Sequence, residues 1–357
     1  MGQRTIHALT KTQLSKLPDF KTLEFGKLYT DHMFSISFQS DSGWTDAKIA
    51  AFENLSLSPA TLVLHYAQEI FEGMKAYYRV DGRIGLFRPL DNFKRMNKSA
   101  LRMVMPTLEE SFALESLLEL IRLDQRWVPN VEGASLYIRP TMIATDALIG
   151  LKPSTGYLFY IIMSPVGAYF KVADKGLRIY VEETYVRAVP GGTGEAKTGA
   201  NYAASLLAGV EAQKKGFTQV LWLDGVHRRY VEEVGAMNIF FVYGDKVVTP
   251  KLNGSILQGI TRKSVIELLA SWGNPVEEAT LDIHEIVSDI ASGKLTESFG
   301  TGTAAVISPV GSLYFQGKDH IIQSAKIGQV TQKIFSALTD IQYGRAEDTF
   351  GWTVTLG

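Results

Sequence analysis

The order of apolar and polar positions divides the chain into short β-like runs separated by a few helical stretches. From Lys27 to Phe38 the text is strand-like, with Met33, Phe34 and Ile36 leading to the break at Ser40-Asp41-Ser42-Gly43. The aromatic-rich segment Glu69 to Tyr78, closed by Asp81-Gly82, and the runs Ile84 to Phe87, Ser135 to Pro140 and Tyr157 to Met163 also read as strands, bounded by turn residues. Between them, Phe93, Met96, Ala100, Leu101 and Val104 recur on one helical face, with Asp91 as the expected N-cap. Thr107-Leu108-Glu109-Glu110 reads as a capping box opening a second helix through Leu114, Leu117, Leu118 and Ile121.

The same strand–helix mixture resumes later. Leu177 to Val181, Thr218 to Leu223 and Tyr230 to Phe241 predict strands, and Val265, Ile266, Leu269 and Trp272 a helix. Ala200, Ala203, Leu206, Leu207 and Val210 fall at helical spacing and end in Lys214-Lys215-Gly216, a cationic last turn with a glycine cap. The polar stretch from Lys171 to Gly176 is the expected linker. It divides the chain into a domain over 1–170, a linker over 171–185 and a second domain over 186–357, and 357 residues suffice for two cores.

Composition narrows the function. A net charge of -1 argues against nucleic acid or an acidic membrane as partner, and favours a small molecule. Cysteine is absent, which excludes disulfides, thiolate metal sites and a cysteine nucleophile, and the six histidines show no metal-ligand spacing, so no metal is expected. The first residues carry no apolar signal segment and no run is long enough to cross a bilayer; the expectation is a cytoplasmic enzyme.

Candidate chemistry centres on Pro190-Gly191-Gly192-Thr193-Gly194-Glu195-Ala196-Lys197-Thr198-Gly199. Glycines allow close backbone approach to a bound group, and a packed setting favours the free amine of Lys197, a nucleophile or base. Gly191 to Thr198 also lies one substitution from a phosphate-cradling nucleotide loop, but the glycine before the lysine is missing and no magnesium-binding aspartate completes it. Strand alternation sends one of Glu232 and Glu233 inward, where a carboxylate needs a cationic or protonated partner. The glycine-led helix start at Gly259-Ile260-Thr261 and the loop Gly300-Thr301-Gly302-Thr303-Ala304 offer amides and hydroxyls to a phosphate and a carboxylate. One lysine, one buried acid, a tyrosine, an arginine and two anion loops describe a pyridoxal 5′-phosphate site.

Phe25-Gly26-Lys27, Phe71-Glu72-Gly73-Met74-Lys75-Ala76, Ser135 to Pro140, Gly191 to Tyr202, Glu233-Val234-Gly235, Gly259 to Arg262, Gly300 to Ala304 and Thr339 to Gly344 together resemble the branched-chain amino acid aminotransferases, within the class IV (fold type IV) enzymes. The resemblance spans nearly the whole chain. It implies a mixed α/β and α+β fold, with a smaller N-terminal α/β domain and a larger C-terminal pseudo-barrel carrying the cofactor lysine. It makes Lys197 the Schiff-base lysine and proton shuttle, Glu233 the partner of the pyridine nitrogen and Tyr202 that of the ring hydroxyl. Arg95, Ile260, Thr261 and Thr303 would hold the phosphate, with Leu257 against the ring. Tyr66 and the amides of Thr303 and Ala304 would meet the substrate carboxylate. Phe25, Phe71, Tyr137 and Tyr169 would wall the aliphatic pocket, and Arg139 would receive the distal carboxylate of glutamate. Leu151 would lie in a loop reaching a partner subunit, implying a homodimer. The reaction implied passes the amino group of leucine, isoleucine or valine to 2-oxoglutarate. Ala305 and Ser308 stand where some members have a C-x-x-C pair, and Ala236 where some carry threonine.

Overall fold

The structure is a computed structural model that describes residues 4–167 and 176–356. Tyr169, and Lys171 to Lys175 of the expected linker, lie outside the described residues. The chain forms two compact units: Met1–Tyr169 with Ala196–Gly199 and Asp340–Gly357, and Phe170–Glu195 with Ala200–Thr339.

The first unit is built on a nine-stranded sheet. Its spatial order is Thr5–Ile6, Gly43–Ala51, His32–Gln39, Gly156–Val166, Ser135–Ala144, Met74–Tyr78, Ile84–Phe87 and Thr353–Leu356, with Glu69–Phe71 pairing onto Ser135–Ala144. Antiparallel pairing with period-2 alternation gives this sheet two unlike faces. On the long strand Ser135–Ala144, Leu136, Ile138 and Met142 join Phe34, Phe159 and Ile161 in a core with the helices Pro89–Arg102 and Glu110–Leu123. Tyr137, Arg139 and Thr141 alternate onto the opposite face.

Two helix starts differ from the sequence expectation. Pro89 has no N–H to satisfy and suits the first turn, so the helix begins there behind Arg88, and Asp91 pairs with Arg88 at 2.6 Å instead of capping. Its apolar face holds Phe93, Met96 and Ala100, while Leu101, inside the helix but off that face, and Val104, past its end at Arg102, are exposed. The expected capping box does not form either. Asn97 takes both backbone groups of Leu108, at 3.0 and 2.8 Å, and the helix starts at Glu110 without a side-chain cap.

In the second unit six strands close a ring: Leu177–Glu182, Gln219–Leu223, Val231–Val234, Met237–Tyr243, Glu297–Gly302 and Val306–Phe315. Hydrogen bonds between Val231–Val234 and Met237–Tyr243 complete it, which removes the unpaired edges these strands would otherwise expose. Ile179, Val181, Leu221, Ile239, Phe241 and Leu313 fill a core shared with the helix Ile283–Ser292. The helix expected after Lys197 is two helices, Gly199–Ala203 and Leu206–Lys214, and its orientation is reversed from the apolar spacing. Ala208 and Ala212 pack against Phe217, Val220 and Trp222, since small side chains let the helix approach the sheet closely, and Leu206, Leu207 and Val210 are left exposed.

Candidate active site

The polar face of the first sheet gathers Phe25, Phe71, Tyr137, Arg139 and Lys197 of the residues singled out from the sequence. The segment Ala196–Gly199 lies along the short strand Glu69–Phe71: the Phe71 N–H donates to the Lys197 carbonyl at 3.0 Å, and the Gly199 N–H donates to the Glu69 carboxylate. Ser99, buried on its helix, accepts the Lys197 N–H at 2.9 Å. Three hydrogen bonds therefore hold four residues of irregular backbone, and they fix where the lysine side chain starts. Its amine rests 4.7 Å from the centre of the Phe71 ring. A β-carbon on Gly199 would meet the Glu69 carboxylate, which would have to shift and give up its present geometry with the Gly199 N–H.

Arg139 shares the same ring. Its guanidinium lies 4.7 Å from the Phe71 centroid and 5.3 Å from that of Tyr137, and it donates to the Tyr137 hydroxyl at 3.0 Å. Phe25 meets Tyr137 edge-on at 4.9 Å. Gly73 is the close neighbour of Tyr137, and any β-carbon there would strike the phenol oxygen. Lysine, arginine and three aromatic rings thus share one surface. It can bind an apolar side chain against the rings and a carboxylate at the cations.

The remaining first-unit candidates are placed as follows. Arg95 is buried and forks onto the equally buried Glu72, at 2.8 and 2.9 Å. Tyr66 ends the short helix Leu62–Tyr66 and is partly exposed. Leu151 is 87% exposed in the loop between the strands Ser135–Ala144 and Gly156–Val166. Lys75, buried opposite Tyr137 in the strand register, has its ammonium pushed down to about 8 by desolvation.

The second unit assembles an acid and an anion-binding backbone. Glu233 and Glu232 are both buried, because each face of their strand is covered, and each has its own partners. Glu233 pairs with Arg187 at 2.7 Å and accepts from Asn238 at 3.0 Å and from the Leu257 N–H at 3.3 Å; Asn238 also holds the Leu257 carbonyl at 2.9 Å. Glu232 accepts from Asn253 and Ser255. The helix Ile260–Ser271 starts behind Gly259 with no side-chain cap, so its first amides, including that of buried Thr261, keep their donors for an anion. Thr303 and Ala304 occupy the half-buried turn after the strand Glu297–Gly302, and the buried Thr301 hydroxyl has no hydrogen-bond partner among the described residues. Tyr202 is half-buried in the helix Gly199–Ala203. Upstream, Thr193 and Asn201 bond reciprocally at 2.8 Å, tying down the glycine-rich loop.

Glu69, Ser99, Arg187 and Asn238 escape a sequence reading. Glu69 left one signal, its spacing of two from Phe71 on a strand. The other three lie 98, 46 and 5 positions from the residues they serve and carry no motif. No group of acids and histidines able to hold a metal occurs among the described residues.

Residues 69–313 match the family model for amino-transferase class IV. Branched-chain-amino-acid aminotransferase 2 of Bacillus subtilis strain 168 is 49% identical over 357 residues, covering 100% of this chain and 98% of that protein. The branched-chain-amino-acid transaminase 1 of the same organism is 51% identical over 340 residues, covering 95% and 96%. Among solved structures, the branched-chain amino acid aminotransferase from Escherichia coli matches with a TM-score of 0.73 at 28% identity, covering 91% of this chain and 98% of that one. On these matches the chain belongs to the class IV aminotransferases, in the branched-chain-amino-acid aminotransferase family.

Proposed function

We propose that this protein is a pyridoxal 5′-phosphate-dependent aminotransferase that moves the amino group of leucine, isoleucine or valine to 2-oxoglutarate, giving branched 2-oxo acids and glutamate. The observation that carries this reading is the lysine segment itself, anchored at Phe71, Glu69 and Ser99 with its amine over the Phe71 ring and Arg139 against the same ring. The residues fit the cofactor: the uncapped amides after Gly259 suit a phosphate, and a carboxylate fixed by Arg187 and Asn238 suits a protonated ring nitrogen. When bound, pyridoxal 5′-phosphate supplies an aldehyde for the amino group and a ring that drains electrons from the substrate Cα.

The chain's own residues do the rest. Lys197 Nζ takes and returns the proton at the substrate Cα. Glu233 holds the proton on the ring nitrogen, and Arg95, Ile260, Thr261 and Thr303 bind the phosphate, with Leu257 and Tyr202 orienting the ring. Phe25, Phe71, Tyr137 and Tyr169 exclude water around an aliphatic side chain, Tyr66, Thr303 and Ala304 bind the α-carboxylate, and Arg139 binds the distal carboxylate of the dicarboxylic substrate. An absorption band of the purified protein that L-leucine bleaches and 2-oxoglutarate restores, and that Lys197→Ala cannot cycle, is the expected result. A protein that stays colourless after pyridoxal 5′-phosphate is added would overturn the reading.

The reading extends to a homodimer. Ile149 and Leu151 in one loop, and Leu206 and Leu207 on one helix, are each more than half exposed, an arrangement that favours burial against another subunit. Light scattering that gives twice the 39.4 kDa chain mass is expected, and a monomer at micromolar concentration would refute it.

A further inference from the structure

Glu69 has a second neighbour besides the lysine segment. Its strand pairs antiparallel with Ser135–Ala144 in the register Glu69 to Ile143 and Phe71 to Thr141, so Glu69, Phe71, Thr141 and Arg139 all project from one face. Tyr160, opposite Thr141 on the next strand, feels both the Glu69 and the Arg139 charge. Burial pushes the Glu69 carboxyl up from its ordinary value, against the Gly199 N–H and the nearby Arg139, which favour the anion. Arg139 and Glu69 nonetheless form no ion pair among the described residues, and the Arg139 Nε is buried without a hydrogen-bond partner. The arginine is therefore left with donor capacity, beside a carboxylate that is close enough to act through space and too far to occupy it.

We infer that Glu69 sets the balance between the two kinds of substrate: it opposes a distal carboxylate arriving at Arg139 and leaves an aliphatic side chain unaffected. The inference rests on the reading of Arg139 as the site of that distal carboxylate. An aliphatic substrate brings no charge to this face, so Glu69 exerts no selective effect on it. A dicarboxylate gains an ion pair with Arg139 and meets a repulsion from Glu69, which weakens its hold and speeds its exchange for the next amino acid.

Glu69→Gln tests this, since the amide oxygen can still accept the Gly199 N–H while the charge is gone. In the holoenzyme at about pH 8, well above the ordinary carboxyl range, KM for 2-oxoglutarate falls by about three- to tenfold. KM for leucine stays within about twofold of the wild type. Calorimetric titration with glutarate tightens by the same factor, and titration with 4-methylpentanoate does not change. Equal changes for both substrate kinds, or an unaltered glutarate affinity, would overturn the inference. Arg139→Met separates it from the reading beneath it. If that variant leaves the 2-oxoglutarate KM unchanged, the assignment of Arg139 itself fails. If it raises that KM while Glu69→Gln in the native background lowers nothing, only the role of Glu69 fails. In the Arg139→Met background, Glu69→Gln is expected to lose its selectivity for dicarboxylates.

Discussion

Ser99→Ala isolates the anchoring of Lys197, the lysine proposed to move the substrate proton. Ser99 is 1% exposed and its hydroxyl accepts the Lys197 N–H at 2.9 Å, so the substitution takes that acceptor away and puts an apolar methyl group in its place. Taking the acceptor from a backbone N–H costs up to about 1–3 kcal/mol. The helix carrying Ser99 should not suffer, because alanine is the better helix former. The loss falls on the segment Ala196–Gly199, whose bonds to Phe71 and Glu69 the substitution leaves in place. If that segment opens locally, amide exchange at Lys197 accelerates by about 5- to 150-fold, the factor equivalent to that energy. Hydrogen–deuterium exchange read by mass spectrometry on peptides spanning 193–201 measures it, with the buried strand Gln219–Leu223 as the internal reference. The turnover number should fall with it while KM for leucine changes by less than about twofold, since the anchor positions the amine and touches no substrate. Unchanged exchange at Lys197, or acceleration spread evenly over the whole protein, would refute the reasoning.

Three further outcomes follow from the same physics. Burial pushes Asp224 up, but the N–H groups of His227, Arg229, Tyr230 and Val226 outweigh it and hold the carboxyl at about 2; the Trp127 indole, Arg126 and the Ser15 N–H do the same for Asp31 against its burial. Both contributions are complete above about pH 5 and are lost as pH falls toward 2, so Asp224→Asn should lower Tm by about 2–4 °C at neutral pH and converge on the wild type near pH 2; a constant offset across that range would contradict it. Glu72→Ala removes the buried carboxylate onto which Arg95 forks and should cost about 3–5 kcal/mol, a Tm loss on the order of 10 °C by differential scanning calorimetry; a loss under about 2 °C would show that the pair is dispensable. Leu207→Lys places a charge on an apolar surface that is already half exposed, so the folded chain tolerates it, and the proposed dimer, followed by light scattering, should dissociate at least about tenfold more readily.

What the amino-acid sequence determined by itself is the chemistry and its local setting. The glycine-rich approach to Lys197, the alternation that puts Tyr137 and Arg139 on one side of a strand, and the glycine-led start of the helix Ile260–Ser271 are properties of neighbours along the chain, where period and backbone freedom are readable. The tertiary structure decided which groups serve them. Ser99 and Glu69 reach the lysine segment from 98 and 130 positions away, and Arg187 reaches Glu233 from 46 positions away. Periodicity states that an apolar stripe exists and leaves its destination open: Leu206, Leu207 and Val210 face outward because Ala208 and Ala212 allow the closer approach to Trp222. Alternation likewise assigned one inward glutamate, whereas both are buried, since a strand in this ring is covered on its two faces. A contact between distant residues depends on how sheets close and helices seat, and no single stretch of sequence records that.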